Sequence, residues 1–97
     1  MSDSELDPTK CEKELVIQNK LGLHARPAAL FVQTANRFTC KVEVEKDGEV
    51  INGKSIMGIM TLAAGQGAKI MVRTEGSDAL LAIEEIENLI VSNFGEE

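Results

Sequence analysis

The chain has neither tryptophan nor tyrosine, and its three aromatic residues are all phenylalanine. It therefore lacks the aromatic platform on which unpaired bases usually stack. Basic charge is also scarce: 10 Lys and Arg stand against 16 Asp and Glu, a formal charge of −6. Nucleic-acid binding starts with neutralised phosphates, so this balance argues against nucleic acid as a partner. Only two cysteines are present, Cys11 and Cys40, with no C-x-x-C pair and no Cys/His cluster. A structural zinc takes four such ligands, so neither a metal nor another cofactor is expected. Two thiols are also few for a stapled secreted domain, and both are expected to be reduced. No apolar run approaches membrane-spanning length. Residues 1–13 are polar and acidic, without the apolar stretch of a secretory signal. The expected location is the cytoplasm.

What is present fits one domain of 97 residues with a core of Val, Ile, Leu, Met and Ala. Residues 1–13 show no periodicity and read as a disordered acidic tail, leaving 14–97 as the folded domain. Leu15, Val16 and Ile17 make a first strand, followed by a loop with Gly22. A helix is expected from Pro27, since proline suits a first helical position. Ala28, Phe31, Ala35 and Phe38 then recur at helical spacing. Cys40, Val42 and Val44 alternate with Lys41, Glu43 and Glu45, the pattern of a half-buried strand. Asp47-Gly48 is a two-residue hairpin signal leading to Val50-Ile51. A short helix follows Ser55, Ile70 and Val72 mark a fourth strand, and Ala79, Ala82, Ile83, Ile86 and Ile90 one face of a last helix. The order β-α-β-β-α-β-α implies an α/β (α+β) two-layer open-faced sandwich, its sheet covered by three helices on one face.

His24 is the only histidine and stands just before a helix start. The leading N–H groups of a helix have no intrahelical acceptors and carry the positive end of its dipole. That is a suitable address for a phosphoryl group. Arg26 adds a permanent charge and a forked donor set matched to phosphate oxygens. The same features also suit a plain helix-start histidine beside a solvated arginine, and spacing alone does not separate the two.

Ser55 is a good N-cap residue, and most serines so placed only cap. The residues after it are less ordinary. Ile56, Met57, Ile59 and Met60 cover more than half of the helix circumference, wider than one sheet face can bury. Part of that surface, with Ile56, Met57 and Met60, is expected to stay exposed as a partner-binding patch. Methionine suits a patch that must accept several shapes.

Leu21-Gly22-Leu23-His24-Ala25-Arg26-Pro27-Ala28 resembles the active-site signature of the HPr family, phosphocarriers of the phosphoenolpyruvate:sugar phosphotransferase system. Asn52-Gly53-Lys54-Ser55-Ile56-Met57-Gly58-Ile59-Met60 resembles that family's second signature, around a regulatory serine. The resemblance implies a four-stranded antiparallel sheet in the order 1-4-2-3. It implies that His24 accepts a phosphoryl group on Nδ1 from enzyme I and passes it to IIA domains of sugar permeases. Arg26 would stabilise the phosphate, Pro27 would start the helix, and Ser55 would be the target of an HPr kinase/phosphorylase. A catabolite-control transcription regulator is a further implied partner. The protein would be a monomeric carrier of a covalent phosphohistidine rather than an enzyme.

Two rivals remain at this level. An HPr-like regulatory phosphoprotein would act through Ser55 without sugar transport; its relative Crh lacks the histidine that stands here at position 24. A small acylphosphatase would need a Gly-x-Val-Gln-Gly phosphate loop after the first strand, which this sequence does not have.

Overall fold

The computed structural model describes residues 7–95. Four strands, β1 (Lys10–Val16), β2 (Lys41–Lys46), β3 (Glu49–Asn52) and β4 (Lys69–Glu75), form one antiparallel sheet in the order β1-β4-β2-β3. Helices α1 (Ala25–Asn36), α2 (Ile56–Thr61) and α3 (Ala79–Val91) cover one face, and a short turn at Asn93–Gly95 follows. This is the expected open-faced sandwich with the expected strand order.

Alternation decides which sheet face is covered. Leu15, Val42, Val44, Ile70 and Val72 point inward and are buried, meeting Phe31, Ala35, Ile83, Ile86 and Ile90 from the helices. The residues between them face solvent on the open side. There Arg73 reaches Glu12 on one neighbouring strand and Glu45 on the other, each at 2.7 Å. The hairpin forms at Asp47-Gly48, both with positive φ, as a turn matched to the strand twist requires.

Three boundaries differ from the sequence reading. The first strand starts at Lys10, so residues 10–13, expected in the tail, pair with β4 from Glu75 to Val72. Cys11 is half-buried against the core, and Lys13 Nζ bonds Glu87 Oε1 of α3 at 2.7 Å. The alternation is real there, but a charged inward residue satisfied by a helix hides it. Residues 7–9 of the expected tail form a turn, with Lys10 N–H donating to Asp7 O at 3.2 Å, and residues 1–6 lie outside the described residues. Helix α1 begins at Ala25 rather than Pro27, which becomes its third residue. Phe38 lies two residues past the end of α1 and is only half-buried, so the apolar stripe outlasts its helix.

Candidate functional site

The loop ahead of α1 is held from both sides. Ile17 exchanges backbone bonds with the segment before β4: its N–H donates to Ala68 O at 2.9 Å, and Gly67 N–H donates to Ile17 O at 2.7 Å. Leu23 N–H donates to Ala64 O at 2.8 Å. Inside the loop, buried Asn19 donates from Nδ2 to Gly22 O at 2.8 Å. Gly22 has φ +69, and a Cβ there would stand 2.3 Å from Ala64 O and 2.6 Å from Gly65 Cα. Only glycine allows the two loops to meet this closely.

This clamp delivers His24 to the N-cap of α1. Its carbonyl accepts from Ala28 N–H at 2.9 Å, while its side chain does not cap the helix. Pro27 explains part of that. An N-cap side chain ordinarily binds the N–H of the second or third helical residue, and the third here is a proline without one. The backbone N–H groups of Ala25 and Arg26 are left at the helix mouth. His24 is half-buried, and its Nε2 is out of solvent. Arg26 is exposed and makes no ion pair among the described residues, unlike Arg37 and Arg73.

Ser55 sits where its chemistry suggests. It is the N-cap of α2, and its Oγ accepts from Gly58 N–H at 3.0 Å. In that helix Ile59 is fully buried and anchors it, whereas Ile56, Met57 and Met60 are 44, 75 and 44% exposed. The exposed patch predicted from the width of the apolar arc is therefore present. Its C-terminal end leads through Ala63, a non-glycine residue with φ +52, to Ala64, which grips the His24 loop. Ser55 and His24 thus stand at the two ends of one short structural bridge. Leu21 stands at the His24 end and is 71% exposed. Its exposure was not legible from periodicity, because a single leucine in a loop carries no period.

No group of three or more His, Cys, Asp or Glu side chains among the described residues is placed to hold a metal ion. No helix there is long and apolar enough to cross a membrane. Cys40 is buried, and its thiol is pushed up to about 11, chiefly by desolvation and then by Asp78.

A small open-faced sandwich with an imidazole at a helix mouth and an apolar helix beside it defines a class of phosphoryl-carrying domains. Residues 11–92 match the family described as "PTS HPr component phosphorylation site". The chain belongs to the HPr family of phosphocarrier proteins. It is 55% identical over 75 residues to the HPr-like protein Crh of Halalkalibacterium halodurans, covering 77% of this chain and 89% of that one. It is 44% identical over 86 residues to the phosphocarrier protein HPr of Xylella fastidiosa, covering 89% of this chain and 97% of that one. Among solved structures, an HPr from Thermoanaerobacter tengcongensis superposes with a TM-score of 0.87 at 53% identity. That alignment covers 90% of this chain and 98% of the other.

Proposed function

We propose that this protein is a cytoplasmic phosphocarrier that accepts a phosphoryl group from phosphorylated enzyme I on His24 and passes it to IIA domains of sugar permeases. The observation that carries this reading is His24 at the mouth of α1, ahead of a proline that removes the N–H an N-cap side chain would otherwise take. The resemblance to the HPr signature makes Nδ1 the acceptor, and the burial of Nε2 is compatible with that. The Nδ1 lone pair attacks phosphorus, the bond from phosphorus to enzyme I breaks, and a P–N bond forms on His24. The N–H groups of Ala25 and Arg26 and the Arg26 guanidinium receive the phosphoryl oxygens. In the next transfer the same bond breaks toward the IIA domain, so the protein returns unchanged and is a carrier rather than a turnover catalyst.

Ser55 is the regulatory site, modified by an HPr kinase/phosphorylase. A phosphoryl group there brings about −1.5 to −2 charges. The N-terminus of a helix tolerates them, but they stand beside Ile56, Met57 and Met60, where they disfavour an apolar or acidic partner surface. The control is local. A catabolite-control regulator reading the phosphorylated form is the complementary output.

Incubation with phosphoenolpyruvate and enzyme I tests the carrier reading. An acid-labile, base-stable adduct forms on the parent and not on His24→Ala; an adduct that survives this substitution removes His24 from the role. The similarity to Crh supports a second reading, a regulatory phosphoprotein acting through Ser55 alone. In that case no adduct forms on the parent, while the kinase still modifies Ser55.

A further inference from the structure

Between Lys46 and Lys69 the chain carries one basic residue, Lys54, immediately before Ser55. Its side chain does not point into solvent. Lys54 is half-buried, and Nζ donates to the backbone carbonyl of Phe38 at 2.7 Å. Phe38 N–H in turn donates to Ala35 O at 3.2 Å, so this carbonyl belongs to the turn that closes α1. A cation there is favoured by the negative end of the helix dipole.

The backbone around Lys54 is fixed independently of that contact. Gly53 N–H donates to Val42 O at 2.8 Å, Lys54 N–H to Asn52 Oδ1 at 2.9 Å, and Ser55 N–H to Asn52 O at 3.1 Å. The movable part of the junction is the lysine stem. Its ammonium makes no ion pair among the described residues and is held by a neutral carbonyl.

We propose that Lys54 is a positioning residue that carries the phosphorylation state of Ser55 to the C-terminal end of the helix that begins at His24. The proposal rests on the reading of Ser55 as a phosphorylation site. A phosphoserine one residue away, at a Cα spacing of about 3.8 Å, offers a doubly charged acceptor to a head group that rotates on four methylenes. The bond to Phe38 O has one charged partner, whereas a bond to the phosphate joins two of opposite sign. The ammonium leaves Phe38 O for the phosphate, and the end of α1 loses its cation. The change stays within the last turn of α1 and the residues leading into β2, without altering the fold.

The test uses the full chain with phosphoserine installed at position 55 by semisynthesis, so that it does not depend on a kinase. Phosphorylation is expected to move the Phe38 carbonyl carbon upfield, as a carbonyl that loses its donor does. Lys54→Met without phosphate moves it the same way, and phosphate then adds nothing. Lys54→Arg keeps the response, and its amide spectrum shows that the junction still folds. A Phe38 carbonyl that ignores the phosphate, or whose response to the phosphate is undiminished in Lys54→Met, overturns the proposal. If the kinase modifies Ser55 and Phe38 stays still, the coupling fails while the regulatory site stands. If the semisynthetic protein responds but the kinase ignores Ser55, the regulatory reading fails and the coupling holds.

Discussion

At the scale of single residues, the site depends on backbone positions that no other side chain can take. Gly22 and Gly48 both have positive φ, but only Gly22 has neighbours where a Cβ would go. A non-glycine residue in this conformation costs about 1–3 kcal/mol, and at Gly22 the clash with the Ala64 and Gly65 backbone adds to it. Gly22→Ala is therefore expected to lower stability more than Gly48→Ala in urea titrations, and to slow phosphoryl transfer as well. Equal losses would show that the two loops are not clamped at this point. Asp78 is a second such residue. Its carboxylate does not cap α3; it accepts from Thr39 N–H at 2.8 Å and Cys40 N–H at 2.9 Å and so joins the start of α3 to the entry of β2. The Thr39 N–H chiefly, with further bonds from Cys40 and the Thr39 hydroxyl, holds this carboxyl below its ordinary 3.8. A group with a lowered folded value stabilises the protein above its unfolded value and ceases to do so as pH falls through the folded one. Asp78→Asn keeps one acceptor oxygen for two backbone N–H groups. The parent is accordingly more stable than Asp78→Asn at neutral pH, and the gap narrows as pH drops below about 4. A gap independent of pH in thermal unfolding would contradict this.

At the scale of elements, α2 shows how much the sequence disclosed and where it fell silent. Six residues cannot form a stable helix alone, so it relies on the Ser55 cap and on buried Ile59. Ser55→Ala should cost about 1 kcal/mol by chemical denaturation, and Ser55→Asp, which retains an acceptor for Gly58 N–H, should cost less. Met57, being mostly solvent-exposed, can be changed to Ala with little loss of stability but with weaker binding to enzyme I, readable by titration calorimetry. Cap and exposed patch were both legible, one from the residue type and the other from an apolar arc too wide to bury. The hairpin was legible from Asp47-Gly48, and the core faces of β2, β4 and α3 from their periods. Strand order was not, because period-two alternation names a face and not a neighbour; the resemblance supplied it. The first turn of α1 was misplaced by two residues, since proline is acceptable at several positions of an opening turn. The clamp between the Gly22 and Ala64 loops was invisible, being made of backbone groups far apart in sequence. Phe94 was invisible for a related reason: it is buried with φ +57, a conformation that nothing in its neighbourhood announces.

At the scale of the whole molecule, charge is segregated along the chain in a way that the net value conceals. Residues 15–42 and 50–74 contain no Asp or Glu at all; every acidic residue falls in 1–14, 43–49 or 75–97. The His24 loop, α1, α2 and the Ala64 loop all come from the two acid-free stretches, 15–42 and 50–74. On the reading proposed above, a protein of charge −6 thus has a docking end around His24 that carries the cationic charges of exposed Lys20 and Arg26. Aligned charge of this kind raises association rates with an oppositely charged surface and does so less as salt is added. The Debye length is about 10 Å at 0.1 M salt, so the acidic remainder is largely screened from an approaching partner while the docking end is not. Phosphoryl transfer from enzyme I is therefore expected to slow with ionic strength, chiefly through kcat/KM, despite the negative net charge. Lys20→Glu, at the His24 end and outside the phosphate-binding groups, should reproduce the slowing at low salt. Glu84→Lys, on exposed α3, shifts net charge by the same amount in the opposite sense and should leave the rate nearly unchanged. Were the two reversals to change the rate by equal and opposite factors, net charge and not its placement would govern docking, and the segregation would have no part in it.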